Sequence, residues 1–142
     1  MPAFVYKRPV RIEWGDCDPA QIVFFPRYFA MCDASTHELF RAATGLRKSE
    51  LVKVHGIIGV PMVDVRGKFM VPSIYGDDIV IESHMASSKR SSFEITHRIM
   101  KGDVVAAEIN ETRVWAGPDP DRPGAMRGMT IPAEVLAKFT VA

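Results

Sequence analysis

The stretch Pro26-Arg27-Tyr28-Phe29-Ala30-Met31-Cys32-Asp33-Ala34-Ser35-Thr36-His37-Glu38-Leu39-Phe40-Arg41-Ala42-Ala43 decides the fold. Phe29, Cys32, Thr36, Phe40 and Ala43 recur at three- and four-residue steps, so they share one face of a helix. Pro26 suits a first helical position, where its missing N–H has no intrahelical partner to lose. Gly45 supplies the stop. A helix this apolar along one side needs a surface to cover it, and the segments around it read as sheet.

Upstream, Val10, Ile12 and Trp14 alternate with Arg11 and Glu13, the period of a half-buried strand. Gly15 to Pro19 then interrupts it with turn-forming residues. Downstream, Ser49 to His55 fits a second, shorter helix. After Gly59 the spacing predicts strands at Met62–Val71, Asp78–Ser87, Ser91–Met100 and Val104–Ala116, with turns at Tyr75-Gly76-Asp77 and Lys101-Gly102-Asp103. Short connections predict antiparallel neighbours. Gly117 to Gly128 holds three Pro and two Asp and reads as an exposed loop, and Pro132 to Phe139 as a last short helix. Strand, long helix, then four antiparallel strands is an α+β order. No repeat or linker divides the chain, so residues 1–142 read as one domain, long enough to enclose an apolar core.

Apolar residues make up 47% of the chain and charged residues 25%, which excludes a disordered or fibrous class. A formal charge of +1 points to neither nucleic acid nor an anionic membrane as the main partner. The first eleven residues lack the apolar stretch of a secretory signal, and no later segment has the roughly 18 unbroken apolar residues of a spanning helix. Cys17 and Cys32 form neither a C-x-x-C pair nor a disulfide framework, so a reducing cytoplasm is the expected compartment.

Several catalytic patterns are missing. There is no G-x-S-x-G elbow, no zinc-type His or Cys spacing after His37-Glu38, no Walker loop and no G-x-G-x-x-G fingerprint. What remains is Gly15-Asp16-Cys17-Asp18-Pro19-Ala20-Gln21-Ile22-Val23-Phe24-Phe25-Pro26-Arg27-Tyr28: two carboxylates on a loop, then an apolar run into a helix start. A carboxylate among apolar groups gains basicity, and the free N–H groups of a helix start can polarise a carbonyl. Carbonyl chemistry fits, although Asp in a Gly/Pro turn also serves simply as a turn former. Spacing alone does not separate Asp16 from Asp18. Cys17 lacks a neighbouring cation and reads as packing. The four scattered histidines, His37, His55, His84 and His97, read as surface or core residues.

The Gly15–Ala20 run, Ile22-Val23 and an aromatic pair before Pro26-x-Tyr28 resemble the 4-hydroxybenzoyl-CoA thioesterase family. Asp33, Gly56-Ile57 with Gly59 and Pro61, Tyr75 with Asp77, and Lys89-Arg90 before Ser92-Phe93 match in the same order. The resemblance implies a hotdog fold, a five-stranded antiparallel sheet wrapped around one long helix. It also implies hydrolysis of an acyl-CoA thioester, with CoA as part of the substrate and no metal or further cofactor. By the same resemblance Asp18 attacks the thioester or activates water, the Phe25 backbone N–H polarises its carbonyl, and Asp16 holds the loop. Asp33 would contact a polar acyl substituent, Val60 would line the acyl pocket, and Lys89 and Arg90 would bind CoA phosphates. The family further implies a homodimer or homotetramer with sites between subunits. Gln21 replaces a common Gly, Val60 a Thr, and Phe24-Phe25 a Trp-Tyr pair; Pro26 stands where short-chain enzymes carry His, which favours an aromatic acyl group. A short-chain thioesterase, a hotdog hydratase or dehydratase, and a non-catalytic acyl-CoA binding module are the other readings.

Overall fold

The structure is a computed structural model that describes residues 2–141. Strand β1 (Tyr6–Arg11) leads through a short turn into helix α1 (Phe25–Thr44) and then α2 (Lys48–His55). Strands β2 (Met62–Phe69), β3 (Asp78–Ser88), β4 (Ser92–Lys101) and β5 (Val104–Val114) follow, then β6 (Ala116–Pro118), β7 (Met126–Gly128) and α3 (Ala133–Ala137). The five long strands form one antiparallel sheet in the order β1-β3-β4-β5-β2. Helix α1 lies against it, the hotdog arrangement. It ends as its sequence predicts, at Gly45 in the left-handed conformation (φ 77°), whose N–H caps the Arg41 carbonyl. No helix is long and apolar enough to cross a membrane among the described residues.

Four details depart from the sequence reading. The first strand stops at Arg11: the chain turns away after Ile12, and Trp14 sits in a 3-10 turn, 75% exposed. Strands β2 and β3 are not neighbours, because both edges of β3 are taken by β1 and β4, which leaves β2 to pair with β5. The expected loop over 117–128 contains the short β6–β7 hairpin. At the start of α1 the sheet-facing residue is Tyr28 rather than Phe29.

The core is in two apolar parts. One gathers Ile12, Val23, Tyr28, Cys32, Ile79, Ile81, Ile99 and Ile109. The other gathers Leu39, Phe40, Leu51, Phe93, Ile95, Trp115 and Phe139. Between them a polar belt crosses the helix–sheet interface. Ser83 Oγ lies 2.6 Å from His97 Nδ1, and Thr36 Oγ1 lies 3.1 Å from His97 Nε2. The Thr36 hydroxyl donates to Glu111, and Arg113 Nε and Nη2 donate to the two Glu111 oxygens at 3.0 and 3.1 Å. All five side chains are buried. Burial pushes the Glu111 carboxyl up, but its bonds to His97 and Arg113 outweigh that and hold it down at about 2.

Removing one member of such a buried pair strands the other charge, so Glu111→Gln is expected to cost about 3–5 kcal/mol in a urea melt. The sign of the pH dependence follows from the depressed carboxyl. Its stabilisation is complete above the unfolded value near 4.5 and is lost as pH falls toward about 2. Acid unfolding of Glu111→Gln should therefore be shallower than wild type across that window.

Candidate active site

The loop between β1 and α1 is a miniature hairpin. Cys17 bridges Val23, the Asp18 N–H donates to the Ile22 carbonyl at 2.9 Å, and the Gln21 N–H donates to the Asp18 carbonyl at 2.8 Å. Pro19 follows Asp18 in this turn, where its fixed φ costs nothing. The residue closing it, Gln21, has φ 68°, the left-handed conformation that such turns usually give to Gly. That accounts for the Gly common at this position in the resembling family.

Asp16 and Asp18 do different work here. The Asp16 carboxylate accepts the Glu13 N–H at 2.9 Å, and its carbonyl accepts the Phe24 N–H at 2.8 Å, which ties the loop to the helix start. One Asp18 oxygen, Oδ1, accepts the Ala20 N–H at 2.8 Å; Oδ2 has no partner among the described residues. Asp18 is half-buried and lines a cavity of about 500 Å³ with Trp14, Cys17, Pro19, Gln21, Ile74 and Tyr75. Trp14 and Tyr75 meet edge to face, ring centroids 5.9 Å apart. The turn carrying Tyr75 is held by Asp77, which accepts the Ile74 N–H at 2.9 Å and pairs with Lys101 at 3.0 Å.

Helix α1 begins at Phe25 with no side-chain cap. The Arg27 N–H turns back to the Phe24 carbonyl, Pro26 has no N–H, and the Phe25 N–H has no acceptor among the described residues. Phe25 borders a second cavity, about 590 Å³, with Ile22, Val23, Tyr28, Phe69, Met70, Val71, Pro72 and Ser73. Ile22, which lines this second cavity, bridges Ile74, which lines the first. In the second one Tyr28 (4% exposed) and Ser73 (0%) have hydroxyls cut off from solvent with no hydrogen-bond partner among the described residues. Burial raises the Tyr28 phenol; the Ser73 hydroxyl is near enough to offset part of that, yet no bond of ordinary geometry joins them.

Asp33 and Val60 come together at a third cavity, about 310 Å³, with His37, Lys48, Pro61 and Arg113. Asp33 is not a free carboxylate: Arg113 Nη2 donates to it at 2.7 Å, and His37 lies 3.8 Å away. The same guanidinium donates to the Val60 carbonyl at 3.1 Å, so it joins the helix wall to the strand wall. Burial, with the nearby Lys48 charge, lowers the His37 pKa. Lys89 and Arg90 are exposed on the β3–β4 hairpin. Asp77, beside the Asp18 loop, precedes the first residue of β3, and Lys89 follows the last, so roughly 33 Å of strand separates the two regions in one chain. Sequence reasoning missed Glu111, Arg113, His97, Ser73 and the role of Tyr28, although Tyr28 lies inside the quoted motif.

The family model of the thioesterase-like superfamily matches residues 12–139. The 4-hydroxybenzoyl-CoA thioesterase of Pseudomonas sp. (strain CBS-3) is 34% identical over 131 residues, 89% of this chain and 91% of that one. A crystal structure of a 4-hydroxybenzoyl-CoA thioesterase variant in complex with 4-hydroxybenzoyl-CoA superposes with a TM-score of 0.85 at 28% identity, covering 95% of this chain and 98% of the other. A gentisyl-coenzyme A thioesterase superposes with a TM-score of 0.77 at 30% identity, covering 94% and 98%.

The left-handed Gln21 yields a direct test of the turn. Gln21→Gly should stabilise the fold by about 0.5–1 kcal/mol, the backbone relief exceeding the extra freedom of the unfolded chain. Gln21→Val should destabilise it by about 1 kcal/mol or more, since a β-branched residue tolerates positive φ poorly. Thermal melts of the three proteins read the order.

Proposed function

The chain belongs to the thioesterase-like superfamily, among the hotdog enzymes related to 4-hydroxybenzoyl-CoA thioesterase, and on that premise we propose that it cleaves an aromatic acyl-CoA with Asp18 as the catalytic carboxylate. It is a thioester hydrolase acting on acyl-CoA. One observation carries the assignment of Asp18. The Asx turn to Ala20 holds the carboxylate by one oxygen and leaves the other unbonded, on a loop tied through Asp16 to the helix start where the Phe25 N–H is unpaired.

The chemistry uses both groups. The Phe25 N–H donates to the thioester oxygen and stabilises the charge that builds there as the carbonyl carbon becomes tetrahedral. Asp18 then acts in one of two balanced ways. It adds to the carbonyl carbon and the C–S bond breaks, releasing CoA thiolate and an acyl-aspartyl anhydride that water opens. Or it takes a proton from the water that adds, and the same C–S bond breaks as the acid forms. Neither route calls for a metal or a separate cofactor. Asp33 and Val60 shape the end of the acyl site, and Lys89 and Arg90 bind the CoA phosphates through charge and fork geometry.

These groups cannot meet one substrate within a single copy, and strand β2 supports an assembly in which they do. It is an edge strand that exposes Val63 (61%), Val65 and Phe69, an open ladder of the kind that pairs with another chain. Val60 and Asp33 lie at its Met62 end and the Phe25 cavity at its Phe69 end. Antiparallel pairing of two β2 strands sets the Asp33–Val60 cavity of one copy beside the Phe25 cavity of the other. It also brings the second copy's Lys89 and Arg90 to the same end of the joined sheet as the first copy's Asp18. We read the working form as a homodimer or homotetramer of this one domain, in the cytoplasm.

A thiol-release assay with benzoyl-, hydroxybenzoyl-, phenylacetyl- and acetyl-CoA should show turnover fastest on the aromatic esters. Asp18→Ala should lower kcat by about 10²–10⁴-fold in a protein that melts like wild type; near-normal turnover would overturn the assignment. Label found in Asp18 after a single turnover in ¹⁸O water would establish the anhydride route, because only water that opens an anhydride at the aspartyl carbonyl leaves its oxygen there. Val63→Lys with Val65→Lys should shift sedimentation toward monomer and lower activity together; an active monomer would rule the shared site out.

A further inference from the structure

Between β2 and β3 the chain leaves the sheet as a short strap, residues 72–77, that belongs to no strand. The returning arm of the Asp18 hairpin is bonded to this strap. The Ser73 carbonyl accepts the Val23 N–H at 2.9 Å, and Ile74 bridges Ile22, whose carbonyl accepts the Asp18 N–H at 2.9 Å. The carboxylate is therefore placed only as firmly as the strap is. Lys101, the last residue of β4, fixes it. Its Nζ donates to the Pro72 carbonyl at 3.1 Å and pairs with Asp77 Oδ2 at 3.0 Å, so one ammonium closes both ends of the strap. Asp77 Oδ2 also accepts the Ile74 N–H at 2.9 Å, which draws the middle of the strap to the same point. A lysine suits this task, because three donors on one compact charge can gather oxygens from different directions. The Lys101 and Asp77 side chains are 29% and 26% exposed, and a pair this open to solvent adds little to stability. Its value is geometric.

We propose that Lys101 is a positioning residue: it pins the 72–77 strap to the end of β4 and so holds the Asp18 carboxylate in register with the Phe25 N–H. The inference rests on the reading of Asp18 as the catalytic carboxylate and adds the residue that keeps it in place. Lys101 lines neither of the two cavities beside the loop, so it acts through the strap and not on the substrate. A reacting group misplaced by about 1 Å can lose about 100-fold in rate, which makes a weak surface pair worth far more to turnover than to folding.

The test measures kcat and KM of the full-length protein on the two esters that wild type turns over fastest in the thiol-release assay. Lys101→Met keeps the stem and removes the charge. It should lower kcat about 10- to 100-fold on both esters, with KM within about 3-fold of wild type and a nearly unchanged melting temperature. Lys101→Arg restores a cation with donors and should recover most of the rate. Added to Asp18→Ala, Lys101→Met should cost nothing further, because a residue acting through that carboxylate has no effect once it is gone. A raised KM with kcat intact, a loss confined to one ester, or additive losses in the double variant would each overturn the proposal. Asp77→Asn supplies the same measurements from the other side of the pair should Lys101→Met fail to fold. An unimpaired Lys101→Met beside an impaired Asp18→Ala sinks the positioning role alone; near-normal turnover by Asp18→Ala removes its premise.

Discussion

The buried guanidinium of Arg113 is the constraint on which the rest depends. It binds both oxygens of Glu111, the Asp33 carboxylate and the Val60 carbonyl, and so joins β5, α1 and the entry to β2 at one point. Apolar contacts alone specify helix position loosely, because a helix can slide along a greasy sheet at small cost. The belt that continues through Thr36, His97 and Ser83 removes that freedom, since a shift of α1 would separate Thr36 from both His97 and Glu111 at once. A one-residue slip of β4 would turn His97 outward and leave Ser83 facing nothing.

Position is what the chemistry asks of this helix. Its uncapped start leaves the Phe25 N–H that the proposed reaction would use, and its middle bears Asp33 about 12 Å farther along the axis. Fixing the helix at Thr36 therefore fixes both the Phe25 N–H and Asp33 relative to the sheet. The Asp18 hairpin is registered independently, through Val23 on the Ser73 carbonyl and Phe24 on the Asp16 carbonyl. Carboxylate and N–H are thus placed by short backbone bonds instead of flexible side chains, which suits a reaction that depends on preorganised donors.

Much of this was legible in the chain itself, and the parts that were not share a cause. Helix α1 and the long strands follow from periodicity, a local property. The Asp18 loop was legible because turn chemistry and an uncommon motif coincide within fourteen residues. The belt was not, because Ser83, His97, Glu111 and Arg113 each occupy strand positions where polar residues ordinarily face water. Only the sheet order and the helix above it show that they face inward. The departure of β2 from β3 to β5 was hidden for a similar reason: pairing depends on which edges are already occupied. Trp14 kept the alternation of β1 but lay past the point where Ile12 bonds Asp77 and the chain leaves the sheet. Lys89 and Arg90 matched a motif by their order in the chain, and order says nothing about the length of strand between them and Asp18.

The polar belt also divides labour within the protein. On one side lie Ile12, Val23 and Tyr28, with Val23 itself in the Asp18 loop; on the other, Phe40, Trp115 and Phe139 pack together with Val135 of the C-terminal helix. Because the two halves are packed from different residues, a change of volume near Phe139 falls first on Phe40, Phe93 and Trp115 and not on the residues packed beside Asp18. The distal half can therefore drift under selection for stability while the proximal half drifts under selection for a new acyl group. A fold partitioned in this way offers evolution two dials that turn almost independently.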